Sequence, residues 1–167
     1  MSIDPGWAAT ICLLGFAALS LHDGIVVHLW RERLPLRPAS RVEHRIHTLR
    51  AWCFPPILVV FFAGHGPTAL AWTLVAIDQA LEVADMAVER RSRAHTAGLP
   101  TPEYVVHGLI VTLRAAAIAF AAIAGPAAHL VATAEFLAPG AVLVAVLHEL
   151  LASRPRWFRR WYPVASA

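Results

Sequence analysis

The chain predicts an all-α integral membrane bundle of five transmembrane helices, the first four forming a duplicated-hairpin four-helix bundle. Three observations carry this expectation. Of 167 residues, 58% are hydrophobic and only 15% charged, with a mean hydropathy of +0.59, too apolar for an ordinary soluble domain. Five apolar runs are each long enough to cross a hydrocarbon layer of about 30 Å. A pattern of acids and histidines also recurs at an offset of about sixty residues, as in an internal repeat. The length suits one transmembrane domain over 1–167.

The first run covers about 6–30, opens after Pro5 and carries His22, Asp23 and His28 towards its far end. A basic loop, RERLPLRPASR, breaks it with two prolines. Ser40 is placed to cap the second helix, about 41–63, with Glu43 at the reciprocal position of a capping box. Arg50 and the kink-prone Pro55-Pro56 lie within that helix, and the short turn GHGP closes the first repeat, about 6–63. The third run, about 68–95, holds Asp78, Glu82, Asp85 and Glu89. Thr101-Pro102-Glu103 reads as an N-cap, a first-turn proline and an early acid. The fourth helix, to about 124, carries Arg114 and completes the second repeat, about 68–124. The fifth, about 127–152, includes a Pro139-Gly140 break and His148. The basic, aromatic tail 153–167 suits an interfacial anchor.

Charge placement supplies an orientation. The net charge is +3, and every basic side chain apart from histidine is arginine. The arginine clusters fall at 31–45, 90–93 and 154–160, while the turns at 64–67 and 125–126 carry none. Five spans with the N-terminus outside put every cluster in the cytoplasm. Arginine without lysine and abundant alanine reflect a GC-rich genome and not chemistry, and the expected location is a bacterial inner membrane. Arginines confined to the gaps between apolar runs explain the basic balance without nucleic acid. Cys12 and Cys53 lie in apolar runs without a CxxC partner, which supports neither a disulfide framework nor a thiolate site. The N-terminus shows no basic region or cleavage site of a removable signal.

The repeat locates the chemistry. ALSLHD, Ala18 to Asp23, matches ALEVAD, Ala80 to Asp85, and EHRIHTL, Glu43 to Leu49, matches EYVVHGL, Glu103 to Leu109. Both copies have the same topology, so the pseudo-twofold axis runs along the membrane normal. In each, a carboxylate and an imidazole stand four residues apart, on one face of a helix. Counting inward at about 1.5 Å per residue puts Asp23 and His47 near one depth, and Asp85 and His107 within about a turn of it.

Asp23, Glu43, His47, Asp85, Glu103 and His107 are therefore the expected metal ligands, with Glu82, Glu89 and His28 as further donors. Four carboxylates and two histidines from four helices follow the ligand logic of di-iron and di-manganese carboxylate bundles. The spacing differs, ExxxH in place of ExxH, and the lone acids are Asp. Two transition-metal ions are expected, iron foremost, with manganese or zinc as alternatives. The partners are membrane lipid and a lipophilic substrate or quinone, and the reaction is oxidoreduction. The other readings are an ion, proton or metal transporter, a di-zinc hydrolase, and a non-catalytic subunit of a membrane complex.

Plainer roles stand beside these. Asp78 and Arg114 at similar depth read as a buried ion pair, with Arg50 and His148 as supporting groups. His22, His44, His65, His95 and His129 read as ordinary polar contacts or helix-end residues. Glu43 and Glu103 favour the helix dipole in a first turn without any metal. That explains each acid alone. It does not explain a histidine one turn later with an aspartate at matching depth. No phosphate loop, GxSxG, HExxH or CxxCH pattern is present.

Overall fold

The computed structural model describes residues 4–92 and 100–154, and the regular elements among them are all helical. Helix α1 spans Pro5–His22. Asp4 starts it: one carboxylate oxygen accepts from the Gly6 amide at 2.7 Å and the Trp7 amide at 3.3 Å, and Pro5 has no amide hydrogen to satisfy. The helix then widens into a π-helical segment, Asp23–Arg31. Two short 3₁₀ turns, Leu34–Leu36 and Pro38–Ser40, lead into α2, Arg41–Ile57. A second π-helical segment, Leu58–Phe62, ends that arm. Helix α3 spans Thr68–Ser92, α4 Thr101–Ala124 and α5 Ala128–Ser153.

Local chemistry departs from the expected pattern in three places, at Ser40, at the start of α4 and at Pro139. Ser40 makes no side-chain cap on α2. Its backbone lies at φ −97° and ψ 2°, outside the extended conformation a capping residue adopts. Its hydroxyl donates instead to the Ser92 carbonyl at 3.4 Å, tying the loop to the end of α3. Helix α4 begins at Thr101 itself, with Pro100 in the extended cap position. Pro55-Pro56 do not end α2. The ladder widens into the π segment that begins two residues after them. Pro139 likewise sits inside an unbroken α5.

Among the described residues, three helices are long and apolar enough to cross a membrane: Pro5–Arg31, Thr101–Ala124 and Ala128–Ser153, with mean hydropathies of 1.8, 1.9 and 2.1. Ile11, Leu14, Ile123, Phe136 and Leu143 are exposed on them, as a lipid-facing surface requires. Helix α3 is as long, at 25 residues, but its four acids lower its hydropathy.

Helix α1 packs along α4, and α2 lies between α3 and α5, which also touches α1. The apolar core joins Leu13 and Phe16 of α1 to Ile57, Leu58 and Phe62, with Ala117 and Ala121 from α4 and Leu130 from α5. Phe16 and Phe54 meet edge to face at 5.2 Å. At one end the two uncharged turns lie together. Gly64 has φ +72°, and a Cβ there would stand 3.2 Å from Pro126. Glycine suits both the left-handed backbone and the close approach. The buried charges gather beyond the core, away from these turns. The 93–99 loop and all but the first two residues of the expected 153–167 anchor lie outside the described residues.

Candidate metal centre

The centre starts where α1 changes its ladder. On α-helical spacing Asp23 and His28 would point about 140° apart. The i→i+5 bonding of a π-helix returns residues five apart to one face. The Asp23 Oδ2 and His28 Nε2 atoms consequently stand 3.3 Å apart, and His28 is 0% exposed. From α4, His107 Nε2 reaches the same Asp23 oxygen at 3.2 Å. Asp23, His28 and His107 each offer one donor atom, all within 4.8 Å of one another.

Helix α2 supplies the other half. Glu43 and His47 share its inward face, with His47 Nε2 at 3.8 Å from Glu43 Oε1 and 3.3 Å from Asp85 Oδ2 on α3. His28, Glu43 and His47 form a second group within the same 4.8 Å limit. His28 therefore belongs to both groups, its ring centroid 4.3 Å from that of His47 and 5.6 Å from that of His107. Glu103 Oε1 flanks it at 3.9 Å.

The donor set fits a transition-metal cation. Asp23 Oδ1 and Asp85 Oδ1 are buried and make no hydrogen bond, while His47 Nε2 and His107 Nε2 face the other carboxylate oxygens of Asp85 and Asp23. Each unsatisfied oxygen costs about 1–3 kcal/mol. Cations would satisfy them together, and mixed imidazole and carboxylate ligation suits iron, manganese or zinc.

Glu89 has another position. Its Oε1 atom lies 2.7 Å from His107 Nδ1, which holds that nitrogen as the proton carrier and leaves Nε2 as the electron-pair donor facing Asp23. An acid in this place orients a ligand histidine and raises its basicity. Glu89→Gln is expected to weaken metal affinity about 10–100-fold while the helices stay intact. Competition against a calibrated chelator measures it, and wild-type affinity would remove Glu89 from this role.

Beside the centre lies an arginine layer. Arg50 pairs with Glu82 and approaches Asp78 and Asp85, each at 3.5 Å. Arg114 meets Asp78 at 2.9 Å, Glu82 at 2.6 Å and the Gln79 side-chain oxygen at 2.9 Å. Glu82 thus faces the arginines, and Asp85 touches both layers. His44 and His148 are also buried, with rings 5.4 Å apart. His44 is thus buried and not at a polar helix end, and His28 stands among the principal donors. The usable signal was an acid and two imidazoles on otherwise apolar helices, where ionisable groups are expensive. His65 and His129 lie elsewhere: one meets Glu135 at 2.8 Å and the other stacks on Trp7 at 4.2 Å.

Among the described residues, the fold and site define a class: a helical bundle with three membrane-capable helices and two largely buried His–carboxylate groups that share one histidine. No protein-family model, curated protein or solved structure matches the chain.

Proposed function

We propose that this is a membrane-embedded dinuclear metal protein, an oxidoreductase of a lipophilic substrate with iron as its foremost metal. The observation that carries the reading is His28, common to two three-donor groups contributed by three helices. A packing subunit has no use for such a convergence. The two Asp–His approaches, Asp23 to His107 and Asp85 to His47, are 3.2 and 3.3 Å and join α1 to α4 and α3 to α2. Exchange of two duplicated hairpins would relate these contacts, which supports the repeat. Five spans follow if α2 and α3 also cross the membrane, their charges turned inward and paired. The N-terminus then lies outside and the arginine-rich ends in the cytoplasm of a bacterial inner membrane.

A bound metal pair would supply electron transfer close to an apolar compartment. The protein's part is to hold and shield it. Glu89 fixes the His107 ring, Asp23 and Asp85 place negative charge against the imidazoles, and the arginine layer offsets the acids of α3.

Purification after growth in metal-replete medium, followed by elemental analysis and an anomalous-scattering map, tests the reading. About two equivalents of transition metal per chain on the two groups are expected. Less than about a tenth of an equivalent would overturn it, and a single equivalent held by all the ligands would overturn the dinuclear part.

A further inference from the structure

Next to the metal centre, α1, α2 and α5 enclose a half-open chamber of about 280 Å³, near the lower end of the usual range for small-ligand sites. Small residues line it from all three helices: Ala17 and Gly24, Ala51, and Gly140 and Ala141. Small residues at a membrane helix interface ordinarily let the backbones close together. Here they leave space, and a Cβ added at Gly140 would meet nothing within 4 Å. Phe16, Phe54 and Leu137 give the chamber apolar walls.

One end is polar. Ser20, Arg50 and His148 border it, together with Asp78 of the arginine layer and Asp23 and His47 of the metal centre. Ser20 Oγ and His148 Nδ1 are buried and make no hydrogen bond, and His148 is 3% exposed overall. Arginine only donates, and the serine hydroxyl and an imidazole Nδ1–H donate as well, so α1, α2 and α5 each bring a group able to donate to an acceptor oxygen. The acceptor should carry no negative charge. Across the centre and the arginine layer, the acids Asp23, Glu43, Asp78, Glu82, Asp85, Glu89 and Glu103 outnumber Arg50 and Arg114. Two divalent cations would still leave no positive excess to attract an anion.

We propose that this chamber binds an uncharged lipophilic carbonyl compound. Its oxygen accepts from Ser20 and His148 beside Asp23 and His47, and its apolar body lies along Phe16, Phe54 and Leu137. The chamber stands on its own geometry, and only its service to a redox reaction rests on the metal reading. Ring carbonyls of a quinone and an acyl carbonyl share this chemistry.

The test is equilibrium binding of three radiolabelled probes to the full chain in detergent micelles: a decyl-substituted benzoquinone, methyl laurate and laurate anion. At least one uncharged carbonyl probe is expected to bind saturably and about tenfold or more tighter than laurate, and the tighter of the two identifies the source. Gly140→Leu, which fills the chamber and favours the helix, is expected to weaken that binding about tenfold or more with metal content unchanged. Ser20→Ala, a small change that leaves the walls intact, is expected to weaken it several-fold. Saturation by neither carbonyl probe, equal binding of laurate, or two variants that bind like wild type would overturn the proposal. Metal content is measured on the same samples. Saturable, Gly140→Leu-sensitive binding to a protein that takes up no metal would uphold the chamber and remove the metal reading, and metal without binding would do the reverse.

Discussion

Replacing His28 with alanine is expected to empty both halves of the metal centre at once. His28 is the residue common to the Asp23–His107 and Glu43–His47 groups, so its loss leaves two donors where each had three. Metal content should fall from about two equivalents to below about 0.2 per chain, because binding depends on the full set of deprotonated donors. His47→Ala and His107→Ala each strike one group and should cost about one equivalent. His44→Ala is the informative control. His44 is buried like His28 yet belongs to neither group, and its loss should leave both metals in place. Elemental analysis reads the metal, while helical circular dichroism and gel filtration check the fold. A folded His28→Ala protein that retains both metals would remove His28 from the centre, and equal losses from all four variants would point to general collapse.

The second large effect belongs to the arginine layer. Arg114→Met is expected to destabilise the bundle by about 3–5 kcal/mol, measured by reversible unfolding in mixed micelles. Arg114 is buried and touches Asp78, Glu82 and Gln79 on α3. Removing it leaves two carboxylates with only Arg50 to balance them. Breaking one side of a buried ion pair costs more than replacing the pair as a whole. Arg114→Met combined with Glu82→Gln should therefore recover much of the loss, and the double-mutant cycle isolates the coupling. A single substitution that shifts stability by less than about 0.5 kcal/mol would show that the layer is solvated or otherwise compensated.

The positions of the five helices are legible in the sequence because each follows from length, hydropathy and turn residues. Pro5, Gly64 and Gly125-Pro126 mark ends that the structure keeps. Glu43 with His47 is legible too, since four residues on an α-helix make one face. Asp78 with Arg114 follows from depth alone. The remainder depends on backbone geometry that residue counting takes as ideal. Pro139-Gly140 resembles a break, yet it stays inside α5, and the kink-prone Pro55-Pro56 likewise stay inside α2. Ser40 has the right residue type for a cap, but its dihedral angles direct the hydroxyl to Ser92. Glu89 is one more acid along α3 until His107 comes within 2.7 Å of it.

The π-helical segment at Asp23–Arg31 also bears on how kinship to this chain could be recognised. The six residues DGIVVH put four residues between the acid and the imidazole. A chain with only three there would show the tidier DxxxH and look, on paper, like the better helical motif. Its imidazole would meet the acid along a regular α-helix, at a different height and angle to Glu43 and His47, and the two groups would lose their common member. The distinguishing mark of this protein is thus a surplus of one in a count, and a search that scores ligand types but tolerates a gap at that point would join proteins with different chemistry.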